Sequence, residues 1–232
     1  MDMVSYTCQE KTKGDLKMKY VIVLDTETAN SLEEPLCYDL GWVVLDIDSG
    51  KVAKATSLAI ADVFLDKELM TSAYYSEKIP QYWDEIDEKE RRLVKFSTAK
   101  KRLYADCKDF EVTEIYAHNA RFDYRSCTLT QRYTTASKVR YFFPRSITIC
   151  DTLKMARAAF KDDPQYIAFC DENGYRTKNN QLRFTAEILY RFLSGDNGFE
   201  EAHRGLDDVM IEKEILLACR ERGVFDGRLW DD

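Results

Sequence analysis

Several features that would indicate a membrane, secreted or zinc-binding protein are missing from this 232-residue sequence. Neither end carries a long apolar run, and no basic stretch precedes an apolar one, so we expect neither a membrane span nor a secretory leader. The seven cysteines include no C-x-x-C pair, which favours reduced cytoplasmic thiols over a disulfide framework or a zinc site. Internal repeats and low-complexity tracts are also absent. The expectation is a cytoplasmic globular protein.

Histidine is scarce, and positive charge is outnumbered by negative charge. The chain has 2 histidines and a formal net charge of −7. This charge argues only weakly against a nucleic-acid partner, because local patches matter more than the total and bound divalent cations would offset part of it. With so few histidines, each one deserves consideration as a chemical group.

The hydrophobic and aromatic content of the chain suffices for one domain with a substantial core. Hydrophobic residues make up 45% of the chain and aromatic residues 12%, so wholesale disorder is excluded. Residues 1–17 form a polar lead-in, and the length suits a single domain over 18–232. Residues 161–182 are polar and rich in turn signals, which predicts an exposed insertion in that domain.

The order of predicted elements is typical of an α/β fold. A first strand covers 19–25, and residues 40–60 predict two strands around the turn Asp48-Ser49-Gly50. Residues 63–108 have helical spacing. Two further strands follow within 112–123 and 146–160, and helices are expected at 183–194 and 206–221. A hairpin followed by strand–helix alternation predicts a mixed sheet flanked by helices.

The segment VIVLDTETAN at 21–30 contains a buried strand that ends in two carboxylates. Asp25 and Glu27 are two residues apart, so their side chains point to the same face of the strand. Two like charges held side by side cost free energy unless a cation lies between them. Ligands gather near strand ends in α/β sheets, so this pair is a candidate metal site.

Two later segments add further candidate groups. Asp123 follows the fourth predicted strand, and His203 lies five residues before Asp208 near the start of the last helix. Five residues is about 140° of helical rotation, so the two side chains would not share a helix face. We therefore expect His203 in the loop that precedes the helix.

Three short motifs, taken together, resemble those of the DEDDh family of 3′→5′ exonucleases. They are LDTET at 24–28, HNARFD at 118–123 and HRGLDD at 203–208. The resemblance spans about residues 19–220, and the family includes the proofreading subunits of bacterial replicative polymerases, such as the epsilon subunit of DNA polymerase III. It implies a ribonuclease H-like fold, that is, an α/β fold with a mixed five-stranded sheet flanked by helices.

The resemblance also implies roles for individual residues. Four carboxylates would bind two Mg²⁺ or Mn²⁺ ions, namely Asp25, Glu27, Asp123 and Asp208. His203 would be the general base. Contacts to the substrate would come from Thr26, Thr28, Asn119 and Phe122. Carboxylates are hard oxygen ligands that suit these ions, and a histidine can exchange a proton near neutral pH.

Some alternatives remain within this assignment. The related tyrosine subclass has Tyr four residues before the last aspartate, where this chain has Arg204, so the histidine subclass fits better. Asp207 is a neighbour that could replace Asp208, and His118 is a second candidate base. Residues 124–150 carry five basic side chains, no acidic ones and several aromatics. Such a segment is either a single-strand binding surface or a solvated basic face.

The implied function is metal-dependent removal of nucleotides from 3′ ends by a two-metal-ion mechanism, with DNA as the expected substrate. The partners would be a single-stranded or 3′-overhang nucleic acid, together with a polymerase or replisome component in a proofreading or repair setting. No membrane partner is expected. The alternatives are a non-catalytic module that binds nucleic acid or a polymerase, and another ribonuclease H-like enzyme such as an endonuclease or strand transferase.

Overall fold

A computed structural model describes residues 19–230 of the chain, which form a six-stranded mixed sheet between two layers of helices. The strand order is β4-β3-β2-β1-β5-β6. Neighbouring strands among the first three are antiparallel, and the other neighbouring pairs are parallel. The strands are β1 (Tyr20–Asn30), β2 (Pro35–Asp46), β3 (Lys51–Ile60), β4 (Arg92–Val94), β5 (Glu114–Ala117) and β6 (Thr148–Asp151).

The helices divide between the two faces of the sheet. One face is covered by α1 (Ala61–Phe64), α2 (Lys67–Met70), α3 (Ile79–Asp87), α4 (Phe96–Asp109) and α5 (Ala120–Thr134). The other is covered by α6 (Thr152–Phe160), α7 (Pro164–Glu172), α8 (Ala186–Ser194) and α9 (Gly205–Glu221). This arrangement confirms the predicted α/β class with a mixed sheet flanked by helices.

The central strand β1 shows why the sheet is buried on both faces. Ile22 and Leu24 pack into the first layer, whereas Val21 and Val23 pack into the second. Side chains alternate along a strand, so a continuous apolar run fills both cores at once. The register with β2 shifts between Glu27 and Thr28. Glu27 therefore borders an interruption of regular pairing, whereas Asp25 is still paired in register with Gly41.

The predicted count of five strands was wrong, because a sixth strand lies within the stretch predicted as helical. β4 has only three residues and pairs in parallel with β3 at the sheet edge. Residues 120–134 form α5, although the sequence predicts no helix there. The helices predicted at 183–194 and 206–221 match α8 and α9 closely. The three-residue strand is too short to show any periodicity.

The expectation that 161–182 is an exposed insertion was also wrong in part. The segment contains α7, whose Tyr166 and Cys170 are fully buried in the second core. The rest of the segment is largely exposed, and Arg176 and Leu182 form an isolated bridge across it. The predicted lead-in at 1–17 lies outside the described residues.

Two glycines allow α9 to approach the sheet backbone directly. A Cβ placed on Gly41 of β2 would lie 2.4 Å from both the carbonyl carbon of Gly205 and the backbone nitrogen of Leu206. No side chain fits in that space. The first turn of α9 consequently rests on the main chain of β2, next to the Asp25 position of β1.

A buried ionic network holds this contact together. Asp39 is fully buried, pairs with Arg91, and accepts hydrogen bonds from the Tyr82 hydroxyl at 2.7 Å and the Gly205 backbone N–H at 2.9 Å. Arg91 also pairs with Glu85, which in turn pairs with Arg204. Buried charges persist only when they are paired and hydrogen-bonded. The network therefore links β2, α3 and the entry to α9.

No helix within residues 19–230 is both long enough and apolar enough to cross a bilayer. All six cysteines in this range are buried as free thiols.

We predict that Gly41→Ala will destabilise the fold. The added methyl group meets backbone atoms, which cannot rotate away, so the cost should lie at the upper end for overpacking, about 3 kcal/mol in the free energy of unfolding. Urea unfolding followed by circular dichroism measures this change. Gly198→Ala is the matched control, because its Cβ would meet only the Asp196 carboxylate at 3.5 Å, an ordinary contact. Equal midpoints for the two variants would contradict the proposed backbone contact.

Candidate active site

Four carboxylates from three elements line one cavity. Asp25 and Glu27 come from β1, Asp123 from the first turn of α5, and Asp208 from the first turn of α9. The cavity has a volume of about 1170 Å³. Glu27, Asp123 and Asp208 are at most 9% exposed, whereas Asp25 keeps a solvent-accessible edge. The structure thus brings together all four carboxylates that the sequence motifs selected.

Removal from bulk water and mutual repulsion raise the pKa values of these carboxyl groups. Loss of hydration is the largest cause for each of the four. For Asp25 the next causes are the charges of Glu212 and Asp123, and for Glu27 the charge of Asp208. An added cation would favour the ionised forms. The protein alone therefore leaves the site short of positive charge.

The oxygen atoms of this cluster fit a divalent cation. Within the described residues, Asp208 Oδ1 is buried without a hydrogen-bond donor, while its Oδ2 accepts from the Arg204 backbone N–H at 2.9 Å. One ligand atom from each of Glu27, His203 and Asp208 lies within 4.8 Å of the others. Buried acceptors without donors are rare unless a ligand or ion satisfies them. Carboxylate oxygens are the ligands that Mg²⁺ and Mn²⁺ prefer.

His203 lies in the loop before α9, as its spacing predicted. Its backbone is left-handed, with φ of 53°, and its imidazole stacks on the Tyr75 ring with centroids 3.8 Å apart and planes 8° apart. Its Nδ1 is 4.0 Å from a Glu201 carboxylate oxygen. Partial burial lowers the pKa of His203. This shift favours the neutral imidazole, which is the form that can accept a proton.

The two rival residues have other roles in the structure. Both ring nitrogens of His118 are engaged, Nδ1 with the Thr152 hydroxyl at 3.0 Å and Nε2 as donor to the Phe184 carbonyl at 2.7 Å. Asp207 is exposed and pairs with Arg204 at 2.7 Å. Neither is free to act at the carboxylate cluster, which favours His203 and Asp208.

The four expected substrate residues differ in their positions. Asn119 and Phe122 line the cavity, and Asn119 is a left-handed residue that starts α5. The Thr26 hydroxyl donates to Asp123 Oδ1 at 2.8 Å, so it orients a carboxylate. Thr28 is half-buried and does not line the cavity. Contact of the Thr28 side chain with a bound nucleotide therefore has no support here.

Three further residues of the site are not among those predicted from the sequence. Glu212 is 3% exposed, lies one helical turn after Asp208, and accepts from the His118 backbone N–H at 3.2 Å. Its spacing of four residues could have identified it. Glu201 lines the same cavity, and burial raises its pKa to about 7. Tyr75 comes from a distant loop and had no local signal.

The basic segment 124–150 does not form a wall of this cavity. Phe142 is fully buried and stacks on Phe96 at 4.6 Å, so it belongs to the core. Tyr133 and Tyr141 are exposed. None of the five basic residues of the segment lines the cavity, namely Arg125, Arg132, Lys138, Arg140 and Arg145.

The overall architecture is similar to that of solved nuclease structures. The nuclease domain of 3′hExo, a DEDDh family member bound to rAMP, superposes with a TM-score of 0.64 at 12% sequence identity, covering 94% of this chain and 100% of that one. This chain therefore has the fold of that DEDDh nuclease domain. At such low identity the likeness concerns the fold alone.

Two other solved structures are similar to this chain in fold. A 3′-exonuclease solved in recognition of the histone mRNA stem-loop has a TM-score of 0.58 at 12% identity, covering 90% of this chain and 85% of that one. E. coli exonuclease I in complex with a dA16 oligonucleotide has a TM-score of 0.55 at 16% identity, covering 88% of this chain but only 41% of the other. No protein-family model and no curated protein matches the sequence.

We predict that binding of a divalent cation releases protons and tightens as pH rises. The carboxyl pKa values are raised in the metal-free fold, so these groups hold protons that the cation must displace. By the same linkage, the metal-free protein loses stability as pH rises through the raised pKa values, because the unfolded chain ionises more readily. Melting temperatures in Mn²⁺ and in EDTA between pH 6 and 9 measure both effects. A Mn²⁺-induced increase that is independent of pH would contradict the prediction.

We predict that the Tyr75 ring determines the environment of His203. Stacked aromatic pairs contribute about 0.5–1.5 kcal/mol beyond their buried area. Tyr75→Ala should remove the ring-current shift of the His203 imidazole protons and raise its pKa, because loss of hydration is what lowers it. Tyr75→Phe should preserve both. Proton NMR titration can follow His203, with His118 as an internal control whose resonances should not move. Identical His203 titrations in the Ala and Phe variants would refute the stacking.

Proposed function

We propose that the chain is a metal-dependent 3′→5′ exonuclease that hydrolyses phosphodiester bonds at nucleic-acid 3′ ends. The observation that carries the proposal is the convergence of Asp25, Glu27, Asp123 and Asp208 on one cavity beside His203. The DEDDh fold supports the same chemistry. No single segment of the chain supplies this set of groups, so its assembly depends on the tertiary fold.

The carboxylates would bind two divalent cations, which we propose to be Mg²⁺ or Mn²⁺. One feature supports two positions: after loss of hydration, the charges that raise the pKa of Asp25 most are those of Glu212 and Asp123, whereas the charge that raises the pKa of Glu27 most is that of Asp208. When bound, such ions neutralise phosphate charge and stabilise the attacking and leaving oxygens. Thr26 holds the orientation of Asp123, and the Arg204 backbone N–H holds that of Asp208.

His203 would accept the proton from the attacking water. The side chain is 27% exposed, so the proton can then leave to solvent. Its lowered pKa keeps the imidazole neutral before the reaction, and the Tyr75 ring restricts its rotation. Activity should therefore fall as the pH decreases through the His203 pKa, because the protonated ring cannot act as a base.

Asn119 and Phe122 would contact the terminal nucleotide, since both line the cavity beside Asp123. DNA is the substrate we propose, following the sequence analysis. RNA is the necessary comparison, because the 2′-hydroxyl is distinguished by local geometry. The polymerase partner implied by the family resemblance finds no support in the described residues. The cytoplasmic location of this protein stays a prediction from the cysteine pattern.

We predict a 3′→5′ ladder on single-stranded and 3′-overhang DNA labelled at the 5′ end, in Mg²⁺ or Mn²⁺ but not in EDTA. His203→Ala should lower the rate about 10²–10⁴-fold, as expected for loss of a general base. Asp208→Asn should abolish the ladder, whereas Asp207→Asn, a substitution of the same kind at the exposed neighbour, should not. Gel electrophoresis of time courses on DNA and on matched RNA gives the rates.

Three outcomes would count against this proposal. Internal fragments instead of a ladder would indicate an endonuclease. Binding of both strands without cleavage in either metal would indicate a non-catalytic module. Equal loss of activity in Asp207→Asn and Asp208→Asn would contradict the assignment of Asp208.

A further inference from the structure

The cavity that holds the carboxylates is also lined by a group of positively charged side chains, which form a second wall. The end of α6 and residues 177–185, which lie between α7 and α8, form this wall. Three of its side chains are cationic: Arg157, Lys161 and Arg183. The volume of about 1170 Å³ exceeds the roughly 300–1,000 Å³ of most small-ligand sites. There is room for more than a single terminal nucleotide.

The cations of this basic wall are available to a ligand. All three are exposed, and within residues 19–230 neither Arg157 nor Arg183 forms an ion pair with a carboxylate. In the same range, the only carboxylate that pairs with Lys161 is that of the exposed Asp162, at 3.8 Å. An ion pair so exposed to water contributes little. The wall therefore presents positive charge that the protein itself does not neutralise.

Hydrogen bonds hold the backbone of the wall in place. The Arg183 carbonyl accepts from the Tyr166 hydroxyl, and the Arg183 N–H donates to the Tyr175 carbonyl at 3.1 Å. The next residue, Phe184, accepts from His118 Nε2. His118 also donates its backbone N–H to Glu212, inside the carboxylate cluster. The basic wall and the carboxylates are thus connected through one histidine.

The position of these cations matches the chemistry of a nucleic-acid strand. The carboxylates of the cavity would engage a phosphate only through bound cations. The arginine and lysine side chains of the basic wall can bind phosphates directly. A strand is a row of evenly spaced phosphates, so a 3′ end at the carboxylates leaves the preceding phosphates to lie along the cavity. The basic segment 124–150 does not line this cavity, so it does not supply these contacts within it.

We propose that Arg157, Lys161 and Arg183 bind the backbone phosphates of the nucleotides that precede the 3′ terminus. The ligand is a single strand, bound through internal phosphodiesters and without regard to base. This inference rests on the proposed exonuclease function, because that function places the 3′ end at the carboxylates. It assigns a role in substrate binding to the α6–α8 region.

The test compares substrates that do and do not reach the basic wall. Thymidine 5′-monophosphate p-nitrophenyl ester has one phosphodiester and no preceding nucleotide, whereas dT2, dT4 and dT8 extend progressively further. In the full-length protein, Arg157→Gln/Arg183→Gln should lower kcat/KM on dT8 roughly tenfold more than kcat/KM on the ester. The rise of kcat/KM with strand length should disappear in this variant. Lys138→Gln/Arg140→Gln is the matched control, since it removes two exposed charges outside the cavity.

Binding measured without turnover separates this inference from the catalytic proposal. In an Asp25→Asn background, fluorescence anisotropy with labelled dT8 at several salt concentrations gives the salt dependence. Loss of two phosphate contacts should reduce the slope of log affinity against log salt by about 1.4. This result would support the basic wall even if wild-type protein cleaved neither ester nor strand, which would defeat the catalytic proposal alone.

Three results would overturn the inference. One is equal dT8 affinity and salt slope in the two double variants. Another is an equal loss on ester and strand, which would indicate general damage to the site. The third comes from a comparison of dT2 with and without a 5′-phosphate. If affinity requires the 5′-terminal phosphate and does not increase with strand length, the cations bind the 5′ end of the strand and not its internal phosphates.

Discussion

The hydrogen bond from the Gly205 backbone N–H to the buried Asp39 carboxylate determines where the last helix begins. Asp39 also pairs with Arg91, and loss of one partner from a buried ion pair typically costs about 3–5 kcal/mol. This interaction fixes the start of α9 on β2. Asp208 follows within the first turn, and His203 precedes it by the short loop. The positions of both groups therefore derive from a contact that takes no part in the chemistry.

The carboxylate cluster is the opposite case, since its interactions are unfavourable in the protein alone. Each carboxyl has a raised pKa because hydration is lost and like charges lie nearby. The scaffold of two cores and a six-stranded sheet supplies the free energy that holds them together. A cation turns the same arrangement from repulsive to attractive. The stability of the metal-free protein and its affinity for metal are therefore linked.

Local periodicity made much of this structure predictable. The apolar run of β1 and the D-x-E spacing placed Asp25 and Glu27, and the five-residue spacing placed His203 in a loop. The three-residue β4 was missed because it is too short to show a pattern. The helix α5 was missed because its buried face consists largely of polar residues, including Asp123, Ser126 and Thr130. Glu212 could have been found from its helical spacing. Tyr75 and the basic wall could not, because only tertiary contacts bring them to the cavity.

The direct contact between Gly41 and Gly205 has a consequence for how the site tolerates change. The separation between β1 and the start of α9 is set by peptide groups, whose dimensions are the same in every protein. Core side chains elsewhere can be exchanged and repacked without altering that separation. Most substitutions in the core therefore leave the spacing of the carboxylates unchanged. Two chains that share few residues can still present the same four oxygen-bearing groups at the same spacing.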